Sequence, residues 1–399
     1  MTRYRLQYGL LSGLFIFMMS NVSYASASPP VTWDAAKLHA APATYPAPAE
    51  LQSPGVTAVF YAGPPYRGNP TRVFAYYGVP QGGGKPVPGM VLVHGGAGTA
   101  FPDWVRMWNE RGYAAIAMDN VGALPNQQLN EYPGPGGWDA SFQHTDDPVP
   151  DQWPYHAVAN IILAHSLLRS LPGVDADRIG VTGISWGGYL TCIAAAADIR
   201  FKFAVPVYGC GFLGEHSAWS SPLELLEGKG RQWLSLWDPE HYLPFVAMPM
   251  LWVSGTNDFA YPLESLRASY RLPSTPGTLC VRVRMPHGHG GIAEHAEEIH
   301  AFADHLVKRG PPLVTITGQG RRGRMAWVAF DAPRPIAKAE INFTRDAGVW
   351  QRWWETADAA IDDDPGRVTA VLPEGVKAYY FNIVDAHGLA VSSEHVVIE

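Results

Sequence analysis

Ile179-Gly180-Val181-Thr182-Gly183-Ile184-Ser185-Trp186-Gly187-Gly188-Tyr189 joins an apolar run suited to a buried strand (Ile179 to Thr182) to a stretch with helical composition, about Tyr189 to Ala197. Between them stands Gly-x-Ser-x-Gly, a pattern that chance alone produces often. With a strand before it and a helix behind it, the pattern becomes specific. Small residues two before and two after Ser185 permit a sharp, strained turn that lifts the hydroxyl clear of a sheet. The same turn aims the Trp186 N–H at a site where negative charge can develop on a bound carbonyl. The competing reading, a tight turn with an incidental serine, leaves both flanking elements unexplained.

A serine hydroxyl is a poor nucleophile until a base takes its proton, so an acid and a histidine are expected downstream, each just past a later strand. Asp258 fits the first place: it follows the apolar strand Met250 to Val253 in Val253-Ser254-Gly255-Thr256-Asn257-Asp258. For the base, Met285-Pro286-His287-Gly288-His289-Gly290 offers two rings. His289, with glycine on both sides, is preferred because its backbone is free to swing the ring toward Ser185; His287 is the alternative, and the other ring supports the loop. A metal centre built on this patch with Glu294, His295 and His300 is the rival reading, but the spacing matches no zinc pattern. The second oxyanion donor is expected after the strand Met90 to Val93, in His94-Gly95-Gly96-Ala97-Gly98. Gly96 is preferred and Ala97 is the alternative, with His94 read as structural. This chemistry calls for no metal and no organic cofactor.

Working outward, strands and helices alternate from His94 to Lys308. Strand-like runs at Ala114 to Met118, Ala204 to Tyr208 and Cys280 to Met285 are interleaved with helical stretches at Asp103 to Arg111, Tyr155 to Leu171, Leu263 to Tyr270 and Glu294 to Lys308. That rhythm predicts a mostly parallel sheet with helices on both faces. Short β-like runs precede it from Val56, and residues 28–55, rich in Pro and Ala, read as an extended lead-in. Two stretches break the rhythm, Gly122 to Asp151 and Gly211 to Pro244, and their aromatic residues Tyr132, Trp138 and Trp219 are candidates for substrate contact; they are equally suited to a core. After Lys308-Arg309-Gly310-Pro311-Pro312 the pattern changes to about seven short alternating runs. These predict an immunoglobulin-like β-sandwich over 313–399, following a catalytic domain over 56–310.

Arg3 and Arg5, the apolar run Leu10 to Met19 and the small residues Ser23, Ala25 and Ala27 have the layout of a signal peptide over 1–27. The run is too short to span a bilayer, so a periplasmic or secreted protein with no membrane span in its mature chain is expected. Three cysteines, Cys192, Cys210 and Cys280, are too few for a disulfide scaffold and read as buried thiols. A net charge of −7, with 16% charged and 47% apolar residues, gives enough material for a large core and no basic block for nucleic acid.

The stretch from about Val56 to Arg309 resembles the acetylxylan esterase and dienelactone hydrolase branch of the α/β-hydrolase superfamily. The resemblance rests on His94-Gly95-Gly96, Gly183-Ile184-Ser185-Trp186-Gly187-Gly188-Tyr189, Gly255-Thr256-Asn257-Asp258 and His287-Gly288-His289. The elbow with its paired glycines and Tyr189 is similar also to that of prolyl oligopeptidase-type peptidases. Two departures stand out: such peptidases carry a large β-propeller for which this chain has no room, and simple dienelactone hydrolases have Cys where this chain has Ser185. The resemblance implies an α/β-hydrolase fold and a serine esterase that removes small acyl groups, notably acetyl, from a small-molecule or carbohydrate ester. An exopeptidase and a non-catalytic binding protein on the same scaffold are the alternatives.

Overall fold

The computed structural model describes residues 28–398, apart from 82–83 and 363–365, and leaves out the side chains of 138–140. The expected signal peptide, residues 1–27, lies outside the described residues. Nine strands form one mixed sheet: β1 (Thr44–Pro46), β2 (Thr57–Tyr66), β3 (Asn69–Gly78), β4 (Val87–Val93), β5 (Ala114–Met118), β6 (Val174–Ile184), β7 (Ala204–Val207), β8 (Leu251–Gly255) and β9 (Thr278–Arg282), in the order β1-β2-β3-β5-β4-β6-β7-β8-β9. From β5 to β9 every neighbour is parallel, and β1, β2 and β3 close one edge antiparallel.

The parallel part has both faces covered, which is why its strands read as continuous apolar runs. Alternate residues go to opposite faces. Val91, Val93, Ile116, Met118 and Val181 pack with α3 (Trp153–Ser170), α4 (Trp186–Ala197) and the start of α7 (Leu263–Tyr270). Met90, Leu92, Ala115, Ala117 and Val205 pack with α2 (Pro102–Glu110) and α9 (Glu297–Lys308) on the other side. The lead-in departs from a plain extended segment, since it holds a one-turn helix, α1 (Ala35–Leu38), and the edge strand β1.

Register aligns the strand ends: Val93 lies beside Gly183, Ile184 beside Val207, and Val207 beside Val253. The loops after β4, β6, β7, β8 and β9 therefore open at one end of the sheet, where ligands of open α/β sheets bind. Of the two rhythm-breaking stretches, 122–151 contains 3-10 turns at Trp138–His144 and Val149–Asp151, and 211–244 contains α5 (Ser220–Leu225) and α6 (Gly228–Trp237). A further short helix, α8 (Ile292–His295), follows β9.

Beyond α9 the chain forms two antiparallel sheets. One is β10 (Thr315–Arg322), β11 (Met325–Asp331), β15 (Arg367–Val371) and β14 (Ala360–Ile361); the other is β13 (Trp354–Asp358), β12 (Ile336–Thr344), β16 (Ala378–Asp385) and β17 (Ala390–Ser392), with β18 (Val396–Val397) on β16. Val328 and Phe330 of the first sheet share a core with Ile341, Phe343 and Phe381 of the second. The second sheet docks on β9: Ser392 Oγ accepts the Val281 N–H at 2.8 Å, and Asn382 Nδ2 donates to the Val281 carbonyl at 3.2 Å. Cys192, Cys210 and Cys280 are buried free thiols. Among the described residues no helix is long and apolar enough to cross a membrane.

Candidate active site

Ser185 sits at the hinge between β6 and α4 with φ +58° and ψ −119°. L residues rarely adopt this conformation, which costs of order 1–3 kcal/mol and persists only where the surroundings impose it. Here they do: the Ser185 N–H donates to the Val207 carbonyl at 3.0 Å, and the Ser185 carbonyl accepts the Tyr189 N–H at 2.9 Å. The turn is also too tight for side chains, since a Cβ on Gly183 would stand 2.2 Å from the Gly187 carbonyl oxygen, and one on Gly187 2.0 Å from that of Val93. The serine stays partly exposed at the top of the sheet.

The ring facing it belongs to His287. His287 Nε2 lies 2.8 Å from Ser185 Oγ, and His287 Nδ1 lies 2.6 Å from Asp258 Oδ2. Asp258 is 5% exposed, and its other oxygen accepts the N–H groups of Ala260 and Tyr261 at 2.9 and 2.7 Å. With the carboxylate ionised, Nδ1 carries the imidazole proton and the Nε2 lone pair faces the serine hydroxyl. The ring is held between two others, Tyr208 stacked at 4.1 Å and Phe259 tilted at 4.7 Å between centroids. Tyr208 also pins the turn: its hydroxyl donates to the Gly288 carbonyl at 2.7 Å and accepts the Gly288 N–H at 3.1 Å. Burial pushes the phenol of Tyr208 well up, so it stays protonated.

The preference for His289 as the ring between Ser185 and Asp258 is corrected by this geometry. His289 turns the other way: Nε2 accepts the Gly95 N–H at 3.0 Å, Nδ1 lies 2.7 Å from Glu294 Oε1, and the ring packs on Phe101 at 4.5 Å. Flanking glycines gave that backbone freedom, but the freedom is used to reach the loop after β4. Of the other candidates of the metal reading, Glu294 pairs, among the described residues, with His289 alone. His300 is buried against Trp108, and among the described residues no three side chains of metal-ligand type converge.

In the loop after β4, His94 is buried and braces the backbone. Its Nδ1 lies 2.7 Å from the Gly95 carbonyl and its Nε2 accepts the Asn120 N–H at 3.1 Å. A Cβ on Gly95 would lie 3.0 Å from Ser185 Cβ, and one on Gly96 would lie 2.9 Å from Trp186 Cδ1, so this loop and the elbow face each other closely. Among the described residues nothing accepts the Gly96 N–H, and the Trp186 N–H opens α4, where an amide has no intrahelical partner. Ala97, at φ +56°, makes the tight turn behind them.

Of the aromatic candidates, Trp219 lies at the site, with its ring 4.4 Å from that of Trp186 and 4.9 Å from Tyr261. Tyr132 does not: it covers the Arg72 guanidinium at 4.2 Å on β3, three strand spacings or about 14 Å across the sheet from β6. Trp138 opens a 3-10 turn, and its side chain lies outside the described residues. Tyr208 and Phe259 are not among the residues the sequence motifs single out, and Glu294 enters there only as a metal-ligand candidate. Phe259, 66% exposed beside the acid, had a signal available, being a bulky apolar residue in a polar loop.

Residues 134–308 match the prolyl oligopeptidase family and residues 35–219 match the acetyl xylan esterase family. The chain is 27% identical over 201 residues to the α/β-hydrolase psoB of Aspergillus fumigatus, covering 45% of this chain and 41% of that protein. It is 26% identical over 252 residues to a hydrolase of a Fusarium species, covering 58% and 52%. The chain thus spans about half, or less, of the length of these curated relatives. Among solved structures, an acetyl xylan esterase from a Paenibacillus species superposes with a TM-score of 0.54 at 22% identity over 68% of this chain and 92% of its own. One from a Thermoanaerobacterium species gives 0.53 at 18%, over 70% and 95%. Both show the same fold. Sheet order, elbow and superposition agree that the chain has the α/β-hydrolase fold, and in sequence it is similar both to the acetyl xylan esterase family and to the prolyl oligopeptidase family.

Proposed function

We propose that the protein is an exported serine esterase that removes small acyl groups, acetyl above all, from carbohydrate-type esters. The observation that carries the reading is the unbroken run from Asp258 through His287 to Ser185, at 2.6 and 2.8 Å. His287 Nε2 takes the hydroxyl proton as Ser185 Oγ bonds to the ester carbonyl carbon. The oxyanion is held by the N–H groups of Trp186 and Gly96, each worth about 2.7–4 kcal/mol in such sites. As the tetrahedral adduct collapses, the ester C–O bond breaks and His287 returns the proton to the leaving alkoxide, leaving an acyl-serine. Water, deprotonated by the same ring, repeats the sequence and frees the acid. Asp258 fixes the ring's tautomer and stabilises its charged form.

The acetyl preference is supported by the match to the acetyl xylan esterase family. Export is supported by the basic, apolar and small-residue layout of residues 1–27. We read residues 56–310 as the catalytic unit and the paired sheets of 313–399 as an immunoglobulin-like sandwich whose role is docking on β9.

An acyl-length series of p-nitrophenyl esters, run beside acetylated xylan, tests the substrate. Rates should peak at acetate or propionate, with acetate released from the polymer; a peak at long chains with no release would remove the carbohydrate reading. The match over 134–308 favours a peptidase as the second reading, and hydrolysis of a dipeptide p-nitroanilide faster than p-nitrophenyl acetate would establish it. Labelling by a fluorophosphonate, abolished in Ser185→Ala, separates either enzyme from a binding protein.

A further inference from the structure

We propose that His289, held by Glu294, is a positioning residue that sets the oxyanion loop for catalysis; the inference rests on the serine hydrolase reading. Two consecutive glycines, Gly95 and Gly96, have no side chains to narrow their backbone conformations, yet an oxyanion donor is useful only when fixed before the reaction. Something outside the loop must fix it.

The structure supplies two imidazoles, one on each side. The Gly95 carbonyl is held from within, by the Nδ1–H of His94 at 2.7 Å and the Gly98 N–H at 3.1 Å. In a trans peptide the carbonyl and the following N–H point in opposite directions, so this bond pair turns the Gly96 N–H away from the interior. Trp186 crowds the same residue, its Cδ1 2.9 Å from a Cβ built on Gly96. The other end of Gly95, its own N–H, is held by His289 Nε2 at 3.0 Å. Gly95 is therefore pinned at both its N–H and its carbonyl.

The second pin depends on a definite tautomer. Glu294 is 8% exposed, and its Oε1 lies 2.7 Å from His289 Nδ1. An ionised carboxylate only accepts, so Nδ1 carries the proton and Nε2 keeps the lone pair that the Gly95 N–H requires. Phe101 and Trp104, at 4.5 and 5.8 Å between centroids, fix the ring plane. His287, which reaches Ser185, and His289, which reaches Gly95, leave one turn in two directions, with Tyr208 holding Gly288 between them. One turn thus places the base and the oxyanion loop relative to each other.

The test uses the full chain with p-nitrophenyl acetate as substrate, sites counted by fluorophosphonate stoichiometry, and a small trifluoromethyl ketone as the oxyanion-forming inhibitor. In His289→Ala, kcat per titrated site should fall about 10- to 100-fold, the range that displaced catalytic groups produce. KM should stay within about threefold, and the inhibitor constant should weaken by a factor similar to that of kcat. In His289→Gln, the side-chain amide oxygen can accept the Gly95 N–H and should restore about a third or more of the lost rate on a logarithmic scale. Glu294→Gln should show a smaller loss of the same kind. The proposal is overturned if His289→Ala keeps kcat per site within about twofold of wild type, or if rate, titratable sites and melting temperature fall together with no recovery in His289→Gln. Wild-type protein that neither labels nor hydrolyses the ester would instead overturn the serine hydrolase reading, and this one with it.

Discussion

Asp258 spends one carboxylate oxygen on two backbone amides and the other on His287, so every lone pair in use faces a donor. Asp258→Asn must turn an NH2 toward one of those donors, and the arrangement that keeps the backbone bonds presents a donor to the imidazole. The ring then adopts the tautomer whose Nε2 is protonated and cannot take the Ser185 proton. The expected outcome is a kcat lower by about 10⁴-fold, the cost of the wrong tautomer in such a triad, with native circular dichroism retained. A loss below tenfold would mean that the imidazole does not depend on this carboxylate. Ser185 and Asp258 are legible in the sequence because their signals are local: a strand, a turn residue and a helix start in succession. The choice between His287 and His289 is not, because the two stand two residues apart in the same glycine-rich spelling. What separates them is distant: left-handed backbone at Arg284 and Gly290 aims the turn, Tyr208 from the end of β7 grips Gly288, and Glu294 draws the second ring away. The sequence displays the freedom of that backbone but not the distant partners that use it.

At the scale of elements, the β6–α4 elbow is a close approach of three backbones, with β4 and the start of α4 meeting over Gly187. A methyl group on Gly187 would meet the carbonyl oxygens of both Val93 and His94 at 2.0 and 2.7 Å, and these are backbone atoms that cannot rotate away. Gly187→Ala should therefore force β4 and α4 apart, lowering stability by about 1–3 kcal/mol or more and moving the loop that continues β4. Urea melts should show the midpoint fall, and Gly288→Ala, where a Cβ meets nothing within 4 Å, should leave it unchanged. Equal midpoints for the two variants would show that the elbow yields more easily than its contacts imply. The central strands were readable because burial on both faces writes them as unbroken apolar runs, as in Ala114–Met118, where all five residues are buried. The edge strand β1 was not. Three residues, Thr44–Pro46, carry too short a pattern, and they become a strand only because β2 offers them an open edge.

Across the whole molecule, four buried imidazoles couple the fold to pH. His156 and His165 lie in α3, His300 lies in α9, and His395 lies between the C-terminal sheets and the hydrolase part, near Arg267 and Arg352. Burial lowers the first three to about 4 and His395 to about 3; for His165 this holds although Asp198 pulls the other way. In the unfolded chain each titrates near 6.5. Between these values the unfolded chain binds protons that the folded chain refuses, so the stabilisation present above pH 6.5 is lost as the pH falls toward 4. Two carboxyls oppose this. Burial raises Asp238 to about 6, and burial with the neighbouring Asp238 charge raises Glu240 to about 7, so the folded chain takes up two protons over part of the same range. These two carboxyls offset part of the imidazole effect, and among these six groups the unfolded chain still takes up more protons than the folded one between about pH 4.5 and 6. Thermal melts across this range should show the midpoint falling steadily on acidification. The steepness should drop by about one proton in His165→Gln, since that ring refuses its proton independently of the other three. A midpoint that holds level or rises from pH 6 to 4.5 would mean that these imidazoles become charged inside the folded protein, His165 first, since Asp198 stands 2.8 Å from it.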